Sequence, residues 1–122
     1  MKCSGARANR IFLITALAMT LVQLWVAYEP LVGQAVGRPY MHAVAHFGSY
    51  LLLSLVWVFG LPAVPATVLA VAVSAFGFGQ EALEIVGHGH GLEMRDVALD
   101  AAGAIVGATL GGFLRQLWAK SQ

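Results

Sequence analysis

Residues 97–118 read VALDAAGAIVGATLGGFLRQLW. Between Asp100 and Arg115 the run holds neither a charge nor a proline. Its length meets the ~20 residues that a helix needs to cross a hydrocarbon core of ~30 Å. An isolated strand in lipid would leave its backbone N–H and C=O groups without partners, so the run is read as a transmembrane helix. Gly103, Gly107 and Gly111 recur at every fourth position and so share one helix face. Small residues at that spacing let a second backbone come close, which makes this the expected packing face.

Three other stretches have the same character: Ile11 to Tyr28, about Met41 to Leu61, and Ala66 to about Val86. The four prolines (Pro30, Pro39, Pro62 and Pro65) fall only at the joints between stretches. The expected fold is therefore all-α: one domain over residues 1–122, an integral membrane bundle of four transmembrane helices. Composition agrees. Hydrophobic residues make up 59% of the chain and charged ones 11%, against about 25% charged in soluble domains. Too few polar side chains remain to cover a soluble surface, and disordered or coiled-coil readings fail on the same ground. Net charge is +1 and no basic cluster interleaves with aromatics, so no nucleic-acid partner is expected. The single cysteine, Cys3, excludes a disulfide framework or a Cys-based zinc site, and no lipobox precedes it.

Lys2, Arg7, Arg10, Arg115 and Lys120 fall on one side of this arrangement, and only Arg38 and Arg95 on the other. Positive loops stay in the cytoplasm, so both termini are expected there. The first stretch has positive charges before it, as a signal peptide would. Its apolar run is longer than a typical signal core and no small-residue cleavage site follows, so it is read as a retained span. Trp25, Tyr28 and Tyr40 then lie near the outer interface, and Trp57 and Trp118 near the inner one.

All six acidic residues (Glu29, Glu81, Glu84, Glu93, Asp96, Asp100) and all four histidines (His42, His46, His88, His90) gather toward the outer side. At 1.5 Å per residue, His46 and Glu81 lie about 7 Å below the outer helix ends, Asp100 about 4 Å and Glu84 about 3 Å. His42, His46 and Tyr50 share a face of the second helix; Gly77, Glu81, Glu84 and His88 share one on the third. Asp96 and Asp100 continue the glycine stripe of the fourth. Charges inside a membrane point inward and find partners, so three helices are expected to direct polar groups into one outer-half pocket.

These residues resemble a known family. His46-Phe47 followed by Tyr50 and Leu53 is similar to the HF-x-x-Y-x-x-L signature of VanZ-like membrane proteins. Glu81, Arg95, Asp100 and the run from Gly107-Ala108 to Gly111 resemble that family's second block. The match spans roughly residues 42 to 112. Departures are His42-Ala43 for an Asp-Lys pair, Glu84 for Gln, Ala104 for Asn, and Gly87-His88-Gly89-His90-Gly91 in place of a Pro-Gly-Arg turn. The resemblance implies a four-span fold and a role in the cell envelope connected with teicoplanin-type antibiotic resistance. Binding or handling of an envelope lipid or amphiphilic antibiotic is the expectation, with His46, Tyr50, Glu81, Glu84, Arg95 and Asp100 as ligand-binding residues and membrane lipids as partners.

Other readings stand beside it. Glu81, Asp100 and Arg95 could form an ion-pair knot tying the third helix to the fourth, with or without a ligand. The chain could be an accessory subunit of a larger membrane complex, or a homo-oligomer, docked through the glycine face. His42 and His46 with Glu81 and Glu84 have the donor types of a zinc site, as a membrane-embedded metallohydrolase would need. H-E-x-x-H is absent and His46 can equally hydrogen-bond a carboxylate, so neither metal nor other cofactor is expected. His88 and His90 read as part of a solvated glycine-rich loop, or as a pH-responsive lid. No nucleophilic triad or phosphate-cradling loop is recognisable, so catalysis is not expected. The topology has a direct check. A reporter active only in the periplasm, fused after Gln122, should be silent; a strong signal would reverse the orientation.

Overall fold

The computed structural model describes residues 2–29, 31, 39–89 and 91–121, with side chains from residue 5 onward. Arg38, His90 and the Lys2 side chain, which entered the topology and loop readings above, lie outside the described residues. Among the described residues, four helices are long and apolar enough to span a membrane: α1 (Lys2–Tyr28), α2 (Pro39–Gly60), α3 (Ala66–His88) and α4 (Met94–Lys120). No strand occurs among the described residues.

The helix ends follow from local chemistry. Pro39 opens α2, where its missing N–H would have had no intrahelical partner. Pro65 caps the start of α3 after the tight Pro62–Pro65 joint. Gly89 ends α3 in the left-handed conformation (φ 72°), and its N–H donates to the Ile85 carbonyl. That cap needs a residue without a Cβ penalty, which explains one glycine of the histidine-glycine segment. At the other end of the bundle, Arg115 Nη1 donates to the carbonyls of Val58, Pro62 and Val64 at 3.1–3.3 Å. A cation on the last turn of α2 satisfies carbonyls that the helix leaves open.

α2 and α4 run parallel and form the most extensive interface; α3 packs on α4, and α1 lies across α2 and α3. The glycine stripe explains the α2–α4 contact. A Cβ on Gly103 would collide with the carbonyl oxygen of Phe47, and one on Gly107 with that of Leu51. Gly111 continues the contact to Val58, 3.1 Å from where a Cβ would sit. The whole stripe therefore faces α2. α1 is held at two points of close backbone approach, Gly60 against Leu13 and Gly87 against Tyr28, and by a 3.3 Å hydrogen bond from Trp57 Nε1 to Thr20 Oγ1.

The partition of polarity is inverted relative to a soluble bundle. Ile105, Phe113, Val71, Val86 and Leu21 are exposed, whereas His46, Gln80, Glu81, Glu84, Asp96 and Asp100 are buried. The apolar part of the core (Tyr50, Leu53, Val73 and Ala104, then Val58, Leu69 and Ala108) continues from the polar cluster toward the other end.

The stripe makes a mutational prediction. Gly107→Leu must push α4 off α2 and should cost about 1–3 kcal/mol, the usual range for overpacking. Ile105 is 54% exposed, so Ile105→Leu should be nearly silent. Thermal unfolding in detergent checks this, and equal tolerance of the two changes would refute the close contact.

Candidate functional site

Because α2 and α4 run parallel, residues four apart on one helix meet residues four apart on the other. His42 Nε2 lies 2.8 Å from Asp96 Oδ2, and His46 Nδ1 lies 2.8 Å from Asp100 Oδ1. Both pairs are separated by the same 54 residues, two rungs of one ladder. The His42 and His46 rings also pack together, with centroids 4.5 Å apart. The outer rung is open, since the His42 side chain is 36% exposed. The inner rung is closed: Asp100 is fully buried and His46 nearly so.

α3 supplies the third wall. Glu81 is 1% exposed, with Oε1 4.0 Å from His46 Nδ1. Gln80 accepts a hydrogen bond from the Tyr50 hydroxyl and donates from Nε2 to Glu84 Oε1 at 3.2 Å. Glu84 Oε2 is in turn 4.0 Å from His88 Nδ1. Gly77 forms part of the floor. A Cβ there would lie 2.9 Å from Asp100 Cβ and 3.1 Å from Tyr50 Cε1, so this glycine makes room for both side chains.

The electrostatics are lopsided. Four buried carboxylates, Glu81, Glu84, Asp96 and Asp100, surround two imidazoles, and the charged groups of the described residues nearest to Glu81 and Asp100 are histidines rather than Lys or Arg. Buried polar atoms normally find a partner. Here both oxygens of Glu81 and Oδ2 of Asp100 accept no hydrogen bond from any described residue. The site is built to accept from, or neutralise against, something electropositive.

Of the residues expected from the sequence, His46, Tyr50, Glu81, Glu84 and Asp100 converge here. Arg95 does not. It is exposed in the first turn of α4, and makes no hydrogen bond or ion pair with Glu81 or Asp100. One residue before Asp96, it is turned about 100° around the helix, away from the face that carries the two aspartates. The Arg95-centred ion-pair knot is thus replaced by a His–Asp ladder. His88 belongs to the end of α3 rather than to a loop, because Gly89 rather than Gly87 terminates that helix. Three participants were absent from the expected binding set. His42 and Asp96 were legible as the i−4 neighbours of His46 and Asp100, and Gln80 as a polar residue inside an apolar run.

Comparison with family models, with curated proteins and with solved structures gives no match. The site's chemistry therefore carries the functional argument.

A double-mutant cycle separates the two pairings. His46→Gln with Asp100→Asn should show a coupling of about 0.5–3 kcal/mol, as for residues in one hydrogen-bonded network. Arg95→Ala with Asp100→Asn should add within about 0.5 kcal/mol, as for independent sites. Coupling that follows Arg95 instead would overturn the ladder.

Proposed function

We propose that this is a VanZ-like protein of the bacterial inner membrane, with both termini cytoplasmic, that binds the amine-bearing headgroup of an envelope amphiphile at its outer surface. The amphiphile is a membrane lipid or a teicoplanin-like antibiotic. The observation that carries the reading is the excess of buried carboxylates over cationic side chains at a site whose outer rung, His42–Asp96, remains partly open. An ammonium group entering there meets Asp96 first, with the other carboxylates of the cluster beyond it, while its apolar chains stay in the surrounding bilayer. Charge-assisted hydrogen bonds of this kind contribute roughly 1.5–3 kcal/mol each, enough to select a headgroup. The five cytoplasmic-side Lys and Arg residues support the orientation, and the HF-x-x-Y-x-x-L match supports the family reading.

The alternative from another class, an accessory subunit of a larger membrane complex, needs a face left open for docking. The glycine stripe is taken up by α2 and offers none. α1, whose span is only 11% buried, is the surface such a partner would use. A stoichiometric large complex on gentle extraction would favour that reading.

Native mass spectrometry of the purified chain tests the binding role. Wild-type protein should retain an amine-bearing amphiphile, and Asp96→Asn and Glu84→Gln should each lower retention by about tenfold or more, the loss of one charge-assisted contact. Teicoplanin tolerance of cells expressing the same variants should fall in parallel if the antibiotic is the ligand. Equal retention by all three proteins, or none by wild type, would dismiss the proposal.

A further inference from the structure

The inner rung has the geometry of a ligand set as well as of a hydrogen-bond pair. His46 Nδ1, one Asp100 oxygen and one Glu81 oxygen lie within 4.8 Å of one another, and all three residues are buried. From His46 Nδ1 the carboxylate oxygens are at 2.8 Å (Asp100 Oδ1) and 4.0 Å (Glu81 Oε1). Donors around a tetrahedral zinc ion, with bonds of ~2.0–2.1 Å, stand roughly 3.3 Å apart, so the observed separations bracket the required one.

The unpartnered atoms point the same way. Both Glu81 oxygens and Asp100 Oδ2 are buried and receive no hydrogen bond from the described residues. A carboxylate in that position leaves its desolvation uncompensated unless a cation, a proton or water supplies the missing contact. The imidazole is also set up for ligation. A neutral ring has one N–H, yet both His46 nitrogens face carboxylates, Nδ1 toward Asp100 and Glu81 and Nε2 toward Asp96 at 3.7 Å. In the ion-free rung Nδ1–H donates to Asp100; an ion that takes the place of that hydrogen leaves the ring's N–H on Nε2, the nitrogen that faces Asp96. A histidine ligand backed by a carboxylate on its other nitrogen is the usual outer-shell arrangement of a metal site.

We infer that His46, Glu81 and Asp100 bind a divalent first-row transition ion such as zinc, with Asp96 orienting His46 and a fourth coordination position left open. One imidazole with two carboxylates suits such an ion better than calcium or magnesium, which take six or more oxygen ligands or keep several waters. A second grouping, His42, His46 and Asp96, is equally close together. It is the weaker candidate, because none of its buried side-chain atoms is left without a partner and the His42 side chain is 36% exposed. The inference concerns the deeper rung, and Asp96 is the one residue that it shares with the open rung.

The test uses the full chain in mild detergent, stripped with chelator and titrated with Zn2+ or Co2+. Wild type should hold one Zn2+ per chain after desalting. Glu81→Gln and Asp100→Asn should weaken binding about tenfold or more, and the orienting change Asp96→Asn should weaken it by roughly 10–100-fold. His42→Gln should retain the ion. Should a variant fail to fold, X-ray absorption on zinc-loaded wild type decides instead, with one imidazole and otherwise oxygen donors expected. Absence of stoichiometric zinc, binding indifferent to Glu81→Gln, or a shell of two imidazoles would each overturn the inference. Amphiphile retention, measured on the same preparations, keeps the proposals separable: lipid without zinc removes this one alone, and zinc without lipid removes the headgroup reading alone.

Discussion

The close approach of α4 to α2 at Gly103 and Gly107 is the contact on which the rest of this molecule depends. The carbonyl oxygens of Phe47 and Leu51 occupy space that any larger residue would fill. Both contacts are offset by 56 residues and both His–Asp contacts by 54, so one register serves packing and polar chemistry alike. Sliding one helix by a residue would break the glycine contacts and pull each histidine away from its aspartate. In lipid no hydrophobic force draws the helices together, so association rests on such van der Waals fit and on interhelical hydrogen bonds. Here the two act in the same place. The glycines set the distance, and the ladder selects which residues face each other.

That arrangement explains how a bundle this small tolerates so many ionisable groups. A carboxylate at the centre of a bilayer costs roughly 2.5–3.5 kcal/mol on insertion scales and less toward the interface. Asp96, Asp100, Glu81 and Glu84 all lie within one half of the bundle, near helix ends, and are turned from lipid toward imidazoles and an amide. Asp96 also sits in the first turn of α4, where the helix dipole favours negative charge. Gly77 extends the economy of space to α3, since its missing side chain accommodates both Asp100 and Tyr50. The polar rungs lie at one end and the Leu53, Val73 and Ala104 core continues toward the other, so the charge is concentrated at one end of the bundle.

Much of this was legible in the residues themselves. Apolar runs of spanning length, broken only at prolines, determined four helices, because lipid admits no other solution for the backbone at that length. Four-residue spacing determined that His42, His46 and Tyr50 share a face, as do Asp96, Asp100 and the glycines, because that periodicity belongs to any α-helix. What periodicity cannot state is which face meets which. Only the tertiary structure decided that α2 and α4 lie side by side in parallel, so that histidine meets aspartate and Arg95, one residue off the stripe, is left on the outside. It alone decided that Glu81 ends beside His46 with both oxygens unmet, while Glu84, one turn away, joins Gln80. The reason is physical: helix periodicity is local and follows from backbone geometry, whereas pairing across helices is chosen by backbone fit at Gly103 and Gly107, contacts between residues more than fifty positions apart.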